Sequence, residues 1–255
     1  MSEAVIVERL DGVMVVTINR PEARNAINAA VSAGIAAAMR ELDAAPELAI
    51  GIVTGAGGTF CAGMDLKAFL AGEMGGGKPG RGMATLTERP PRKPVIAAIE
   101  GYALAGGCEL ALACDLRVAA ENATFGLPEV KRGLIAAGGG LLVLSRLIPP
   151  AIAMQLALTG DPFSAADAYR YGLVNTLTAP GEALAGALAL AKRITVNGPL
   201  AVAASKELMT RAQDLTLDEG WEEQQAIAAS VFTSEDAREG ARAFAEKRPA
   251  LWKGR

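Results

Sequence analysis

Three short apolar runs, AIGIVTG (49–55), PVIAAIEG (94–101) and DLRVAA (115–120), constrain this chain more than any other feature. A strand that is apolar on both faces has to be covered on both, as in a sheet with helices packed on either side. The sequence between supplies such helices. From Asn25 to about Ala45 an alanine-rich segment places Ile27, Val31, Ile35, Met39 and Leu42 at helical spacing, and Pro46 closes it. Strands alternating with helices define an α/β class. Ahead of them, the alternating stretch 3–19 turns at Asp11-Gly12 and reads as a β-hairpin. Beyond about residue 180 the character changes: 181–196, 199–213, 217–231 and 235–246 read as helices with no strand between them. Asn197-Gly198-Pro199 then separates a core, 1–197, from a helical C-terminal part, 198–255.

Composition narrows the function. Hydrophobic residues make up 51% of the chain, enough to bury a sizeable core. A formal net charge of −3 lacks the basic footprint that nucleic-acid binding requires, so no nucleic-acid partner is expected. The opening MSEAVIVERL has no apolar stretch of signal-peptide length, and the longest uncharged runs are too short and too broken to span a bilayer. Cys61, Cys108 and Cys114 lie in apolar surroundings without metal-ligand spacing, which fits reduced, buried thiols and a cytoplasmic setting. Histidine is absent altogether. Ser-His-Asp and Cys-His machinery is therefore excluded, no metal site is expected, and acid–base work falls to Glu, Asp, Lys, Tyr or Cys.

Within EGYALAGGCELALACD (100–115), Glu109 is the one charged residue of a glycine-rich and apolar interior. The stretch reads as strand, turn and helix start, so the N–H groups after Gly106-Gly107 point outward without intrahelical acceptors and suit an oxygen that becomes negative. Glycine there lets a ligand approach the backbone. ATFGLPEVKRG (123–133) puts Glu129 after Gly126-Leu127-Pro128, and GGTFCAGMDLKAF (57–69) offers the N–H of Met64 at another helix start. Taken singly, Glu109, Glu129 and Asp65 fit the acids that open ordinary helices as well as they fit catalysis. Together they make an acid–base site beside a polarised carbonyl. The glycine-rich stretch 71–82 imitates a phosphate loop, but Pro79 stands where a Ser or Thr would ligate magnesium.

NRPEARNAIN (19–28), GGTFCAGMDLKAF, residues 97–134, LTGDPFSAADAYRYGLVN (158–175) and SEDAREGARAFAEKRPALWKGR (234–255) together resemble the enoyl-CoA hydratase/isomerase (crotonase) superfamily over nearly the whole chain. The resemblance implies a spiral of ββα units with C-terminal helices that build homotrimers, often paired into hexamers. It implies an oxyanion hole from the N–H groups of Met64 and Gly106, with Glu109 and Glu129 as the two catalytic acids of a hydro-lyase. It places CoA contacts at Arg24, Ala62, Asp65 and Leu66, and at Phe244 and Lys247 toward a neighbouring subunit's CoA. No permanently bound cofactor is implied, coenzyme A being part of the substrate. An enoyl-CoA isomerase or a non-catalytic acyl-CoA binder are the alternatives, and the presence of both acids favours hydration. The tail and RLIPPAIAMQLALTG (146–160) resemble the carnitinyl-CoA dehydratase branch. RGLIAAGGGLLVLSRL (132–147) departs from common hydratases: it lacks their proline and Gly-Thr-Gln-Arg run.

Overall fold

The computed structural model describes residues 3–73, 86 and 89–255. Strands β1 (Val5–Leu10) and β2 (Val13–Ile18) form the expected antiparallel hairpin. Its turn residues, Asp11 at φ 47° and Gly12 at φ 81°, are the left-handed pair that a two-residue hairpin loop needs. Helix α1 (Ala29–Ala44) then crosses to β3 (Ile50–Gly55), which pairs parallel with β2. α1 begins later than the spacing from Asn25 suggests, because Asn28 caps it by accepting the Val31 N–H at 3.0 Å.

Asn25 has another task. It is fully buried at φ 56°; its Oδ1 accepts from Arg20 N at 2.9 Å, and its Nδ2 donates to the carbonyls of Ala56 and Thr59 at 2.8 and 2.6 Å. Those bonds join the loop after β2 to the loop after β3. Asn25→Ala is expected to lower stability by about 3 kcal/mol, because three buried partners lose their bonds at once and alanine resists a positive φ. Urea unfolding of the variant measures this.

The remaining elements are α2 (Leu66–Leu70), β4 (Val95–Ile99), β5 (Tyr102–Leu104), α3 (Gly106–Ala113), β6 (Leu116–Ala120), β7 (Thr124–Gly126), α4 (Gly140–Leu147), α5 (Pro150–Thr159), β8 (Phe163–Ser164), α6 (Ala165–Arg170), β9 (Thr176–Thr178) and α7 (Ala183–Thr195). They are followed by α8 (Pro199–Arg211), α9 (Leu217–Phe232) and α10 (Glu235–Glu246). The main sheet runs β1-β2-β3-β4-β6-β9, parallel throughout beyond the hairpin. Alternate residues of each strand serve opposite faces. Met14, Val16, Ile18 and Val53 pack with Val31, Ile35 and Leu42 of α1. On the other face Val13, Val15, Ile50, Ile52 and Ile96 pack with Ala187 and Ala191 of α7. Two-sided cover is why these strands read as continuous apolar runs. The exception in the runs, Arg117 of β6, is buried and donates to the carbonyls of Cys114 and Leu173 at 2.6 and 2.5 Å, tethering the segment that follows α3. α8 is fastened to the sheet by Lys206, whose Nζ reaches Asp115 Oδ2 at 2.7 Å and the Lys93 carbonyl at 3.0 Å.

A second sheet, β5-β7-β8, was not legible in the sequence, where 102–105 reads as turn. Its strands are two or three residues long, too short to show a period. β5 and β7 pair in parallel, with Leu104 opposite Gly126, and the Ala105 N–H continues the ladder to the Gly126 carbonyl at 2.9 Å. This small sheet positions the candidate site.

Candidate active site

Parallel pairing of β5 and β7 brings their C-terminal ends to one edge, and each strand leads directly into one of the two acids. β5 runs through Ala105 into α3, whose first turn carries Glu109; β7 runs through Leu127 into a 3-10 turn, Pro128–Arg132, that carries Glu129. The segment after β3 joins the same edge. Cys61 bridges Ala103 of β5, Cys61 N donates to the Tyr102 carbonyl at 2.8 Å, and Leu104 N donates to the Cys61 carbonyl at 3.0 Å. Met64 bridges Ile27 in parallel.

The two candidate oxyanion donors lie on neighbouring segments. The Met64 bridge uses the Gly63 carbonyl and the Asp65 N–H, which bond Ile27 N and O at 2.8 and 2.9 Å, and so leaves Met64 N–H without a protein acceptor among the described residues. Gly106 N–H, at the start of α3, likewise has none among them. Ala105, just before it, sits at φ 50°, ψ −128°, a conformation alanine rarely adopts. The ladder bond to Gly126 holds it there, and the twist sets the direction of the Gly106 N–H. Gly63, at φ 102°, lies against this peptide: a β-carbon on it would stand 2.7 Å from the Ala105 β-carbon and 3.2 Å from Gly106 N. The second glycine of the pair has a different use from the one read in the sequence. A β-carbon on Gly107 would lie 2.1 Å from the Cys61 carbonyl oxygen, so its bareness admits the neighbouring strand rather than a ligand.

Glu109 is 3% exposed. Its carboxylate is not left to the helix terminus, as the sequence suggested; Oε1 accepts from Gly138 N at 2.8 Å and Gly140 N at 2.9 Å. Burial pushes its pKa up, the Gly140 and Gly138 bonds oppose the rise, and the charge of Glu129 adds to it. Glu129 is half-buried and is also pushed up by burial, against its own backbone N–H and the nearby Arg132 guanidinium. Glu129 Oε2 is buried with no hydrogen-bond partner among the described residues. A buried carboxylate oxygen without a donor favours the protonated acid, whereas two N–H groups on one oxygen favour the carboxylate. The pair is thus built unequal: Glu109 has two N–H donors on one oxygen, and one oxygen of Glu129 has none among the described residues.

Of the candidate CoA contacts, Arg24, Ala62, Asp65 and Leu66 fall together. Arg24 is exposed at φ 51°, and its carbonyl accepts from Ala62 N at 3.0 Å. The Asp65 carboxylate has structural bonds of its own: it caps α2 through Lys67 N and Ala68 N and pairs with Arg20 at 3.0 Å. The Ala68 N–H first, and Arg20 with it, hold its pKa low. Phe244, 87% exposed, and Lys247, at φ 53°, stand at the C-terminal end of α10, in the helical part that follows the core. Cys61, Cys108 and Cys114 are buried and free, with burial pushing each thiol up to about 12, so none is a nucleophile. Among the described residues no cluster of His, Cys, Asp and Glu could hold a metal, and no helix is long and apolar enough to cross a membrane. The imitation phosphate loop lies, beyond residue 73, outside the described residues.

The sequence reading missed Gly138 and Gly140. Their signal was the AAGGG run itself, which only the fold brings to Glu109.

Comparison with known proteins shows the family. A family model for enoyl-CoA hydratase/isomerase matches residues 8–255. A carnitinyl-CoA dehydratase of Salmonella typhi is 43% identical over 262 aligned residues, covering 100% of both chains. Among solved structures, an enoyl-CoA hydratase from Mycobacterium tuberculosis H37Rv is 57% identical with a TM-score of 0.96, and a carnitinyl-CoA hydratase from Mycobacterium avium is 44% identical with a TM-score of 0.79; both cover 100% of each chain.

Proposed function

The chain belongs to the enoyl-CoA hydratase/isomerase family and is an enzyme of its hydro-lyase type, and we propose that Glu109 and Glu129 together add water reversibly across the C2=C3 bond of a 2-enoyl-CoA thioester. The observation that carries the residue assignment is the unequal pair: one buried carboxylate with two N–H donors, one with an oxygen that has none among the described residues.

The thioester carbonyl oxygen sits between the N–H groups of Met64 and Gly106. Water lies between the two acids. Glu109 takes a proton from it as the oxygen bonds to C3, and the π electrons of C2=C3 move into the thioester, leaving an enolate oxygen in the hole. Glu129 then gives its proton to C2 and the enolate collapses to the saturated thioester. Each preorganised donor in such a hole contributes about 3 kcal/mol to the barrier reduction. The reverse sequence dehydrates a 3-hydroxyacyl-CoA. No resident cofactor takes part; coenzyme A arrives with the substrate and meets Arg24, Ala62, Asp65 and Leu66. Phe244 and Lys247 reach the CoA of a neighbouring subunit in a homotrimer or paired trimers, a role that the exposure of Phe244 supports. Free, buried thiols support a cytoplasmic setting.

We assign an uncharged, apolar acyl group. The segments that flank the site expose Leu66, Phe69, Leu134 and Ile135, and the cation Arg132 lies near Glu129, which disfavours a trimethylammonium acyl group. Loss of enoyl-thioester absorbance is expected with crotonyl-CoA and to be at least tenfold slower with crotonobetainyl-CoA. The converse order would move the assignment to the carnitine-type substrate named in the 43% and 44% identical relatives. No loss with either would overturn the hydration reading.

A further inference from the structure

Gly140 opens α4, and the space its side chain would occupy is filled by Glu109. A β-carbon at position 140 would lie 2.8 Å from Glu109 Cγ, 3.1 Å from Oε1 and 3.4 Å from Cδ. The same residue's N–H donates to Oε1, as does that of Gly138, and Gly139 between them takes φ 101°, the left-handed turn that lets both groups meet one oxygen. Both bonds fall on Oε1; among the described residues Oε2 has no protein partner.

We propose that the Gly138–Gly140 turn is the positioning element of the acid–base pair, with Gly140 its central residue: bare backbone fixes Glu109 through Oε1 and leaves Oε2 as the oxygen that accepts the proton. This rests on the assignment of Glu109 as the base. A lone carboxylate on a buried glutamate can rotate about its last bond and exchange its two oxygens; two donors on one of them remove that freedom. They also distinguish the two acids, since among the described residues no comparable donor reaches Glu129 Oε2. The turn lies in the very segment, 132–147, where this chain departs from common hydratase wording.

The test is Gly140→Ala, made alone and in a Glu109→Gln background. Alanine keeps the backbone N–H and suits a helix start, so the variant is expected to fold, and a thermal scan checks it. Displacing Glu109 by an ångström is expected to lower kcat about a hundredfold with KM little changed. Weaker donation to the carboxylate raises its pKa, so the acid limb of the kcat/KM profile moves to higher pH. In the Glu109→Gln background, Gly140→Ala is expected to lower kcat no further, because its effect runs through that carboxylate. A wild-type kcat and pH profile for Gly140→Ala overturns the proposal, and so does a loss that recurs in full on top of Glu109→Gln. If Glu109→Gln alone keeps wild-type turnover, the base assignment fails instead. Infrared titration of the Glu109 carboxylate, by difference with Glu109→Gln, then still decides the clamp: Gly140→Ala must shift the titration upward, and an unchanged midpoint overturns it.

Discussion

Glu109→Gln is expected to lower kcat roughly a thousandfold while CoA-ester binding stays within a fewfold of wild type, the size of effect that loss of a positioned general base produces. Glutamine is a clean test here because its amide oxygen can still accept from Gly138 and Gly140, so the geometry survives and only proton acceptance is lost. Glu129→Gln should lower turnover similarly, through loss of the proton delivered to C2. The Glu129 variant also reports on stability. Burial raises the Glu129 pKa above its unfolded value, and for a carboxylate this means ionisation opposes folding. The penalty is absent below the ordinary glutamate range, grows as pH rises through it and is complete above the raised folded value. Glu129→Gln should therefore raise Tm at neutral pH, with the gain vanishing in acid. Near wild-type turnover in either variant would sink the two-acid mechanism; a Tm gain that persisted unchanged in acid would sink the linkage argument.

That experiment was suggested by sequence, but its interpretation comes from the fold. The parallel sheet announced itself because burial on both faces leaves AIGIVTG and PVIAAIEG almost wholly apolar, and the C-terminal helices did so as a run of helical segments with no strand between them. In the structure Ser234 and Thr216 cap α10 and α9. What local pattern could not carry is the second sheet. β5, β7 and β8 are stabilised by one another and by the Cys61 bridge, with no period of their own to read. Since that sheet sets Glu109 beside Glu129, the site was legible as motifs but not as geometry. The same limit explains three revisions. α1 starts at Ala29 because Asn25 is claimed by distant carbonyls; Gly107 serves Cys61; and Glu109 takes its donors from a turn that the sequence places well beyond the second acid. Each depends on a contact between segments far apart in the chain, which propensity and spacing do not encode.

The second large effect is expected at Gly63, a residue with no side chain and no role in proton transfer. Gly63→Ala should lower kcat/KM by about a hundred- to a thousandfold, equivalent to disabling one oxyanion donor. The reasoning is steric. Gly63 precedes Met64, Ala105 precedes Gly106, and the two peptides that carry the donor N–H groups touch through these residues. An alanine β-carbon would stand 2.7 Å from the Ala105 β-carbon, 2.9 Å from the Leu104 carbonyl oxygen and 3.2 Å from Gly106 N, while φ 102° at position 63 is itself unfavourable for alanine. Something has to move, and a shift of either peptide disturbs the placing of the two donors. The enolate suffers more than ground-state binding, because its charge depends on both donors at once. Acetoacetyl-CoA separates these cases, since its enolate has its own absorbance and is drawn out by donors at the thioester oxygen. Gly63→Ala should bind crotonyl-CoA within a fewfold of wild type and lose most of the enolate signal. A folded variant that keeps both the enolate band and wild-type turnover would show that Met64 and Gly106 do not form the hole. A parallel loss of substrate binding and enolate would make the defect one of packing rather than of charge stabilisation.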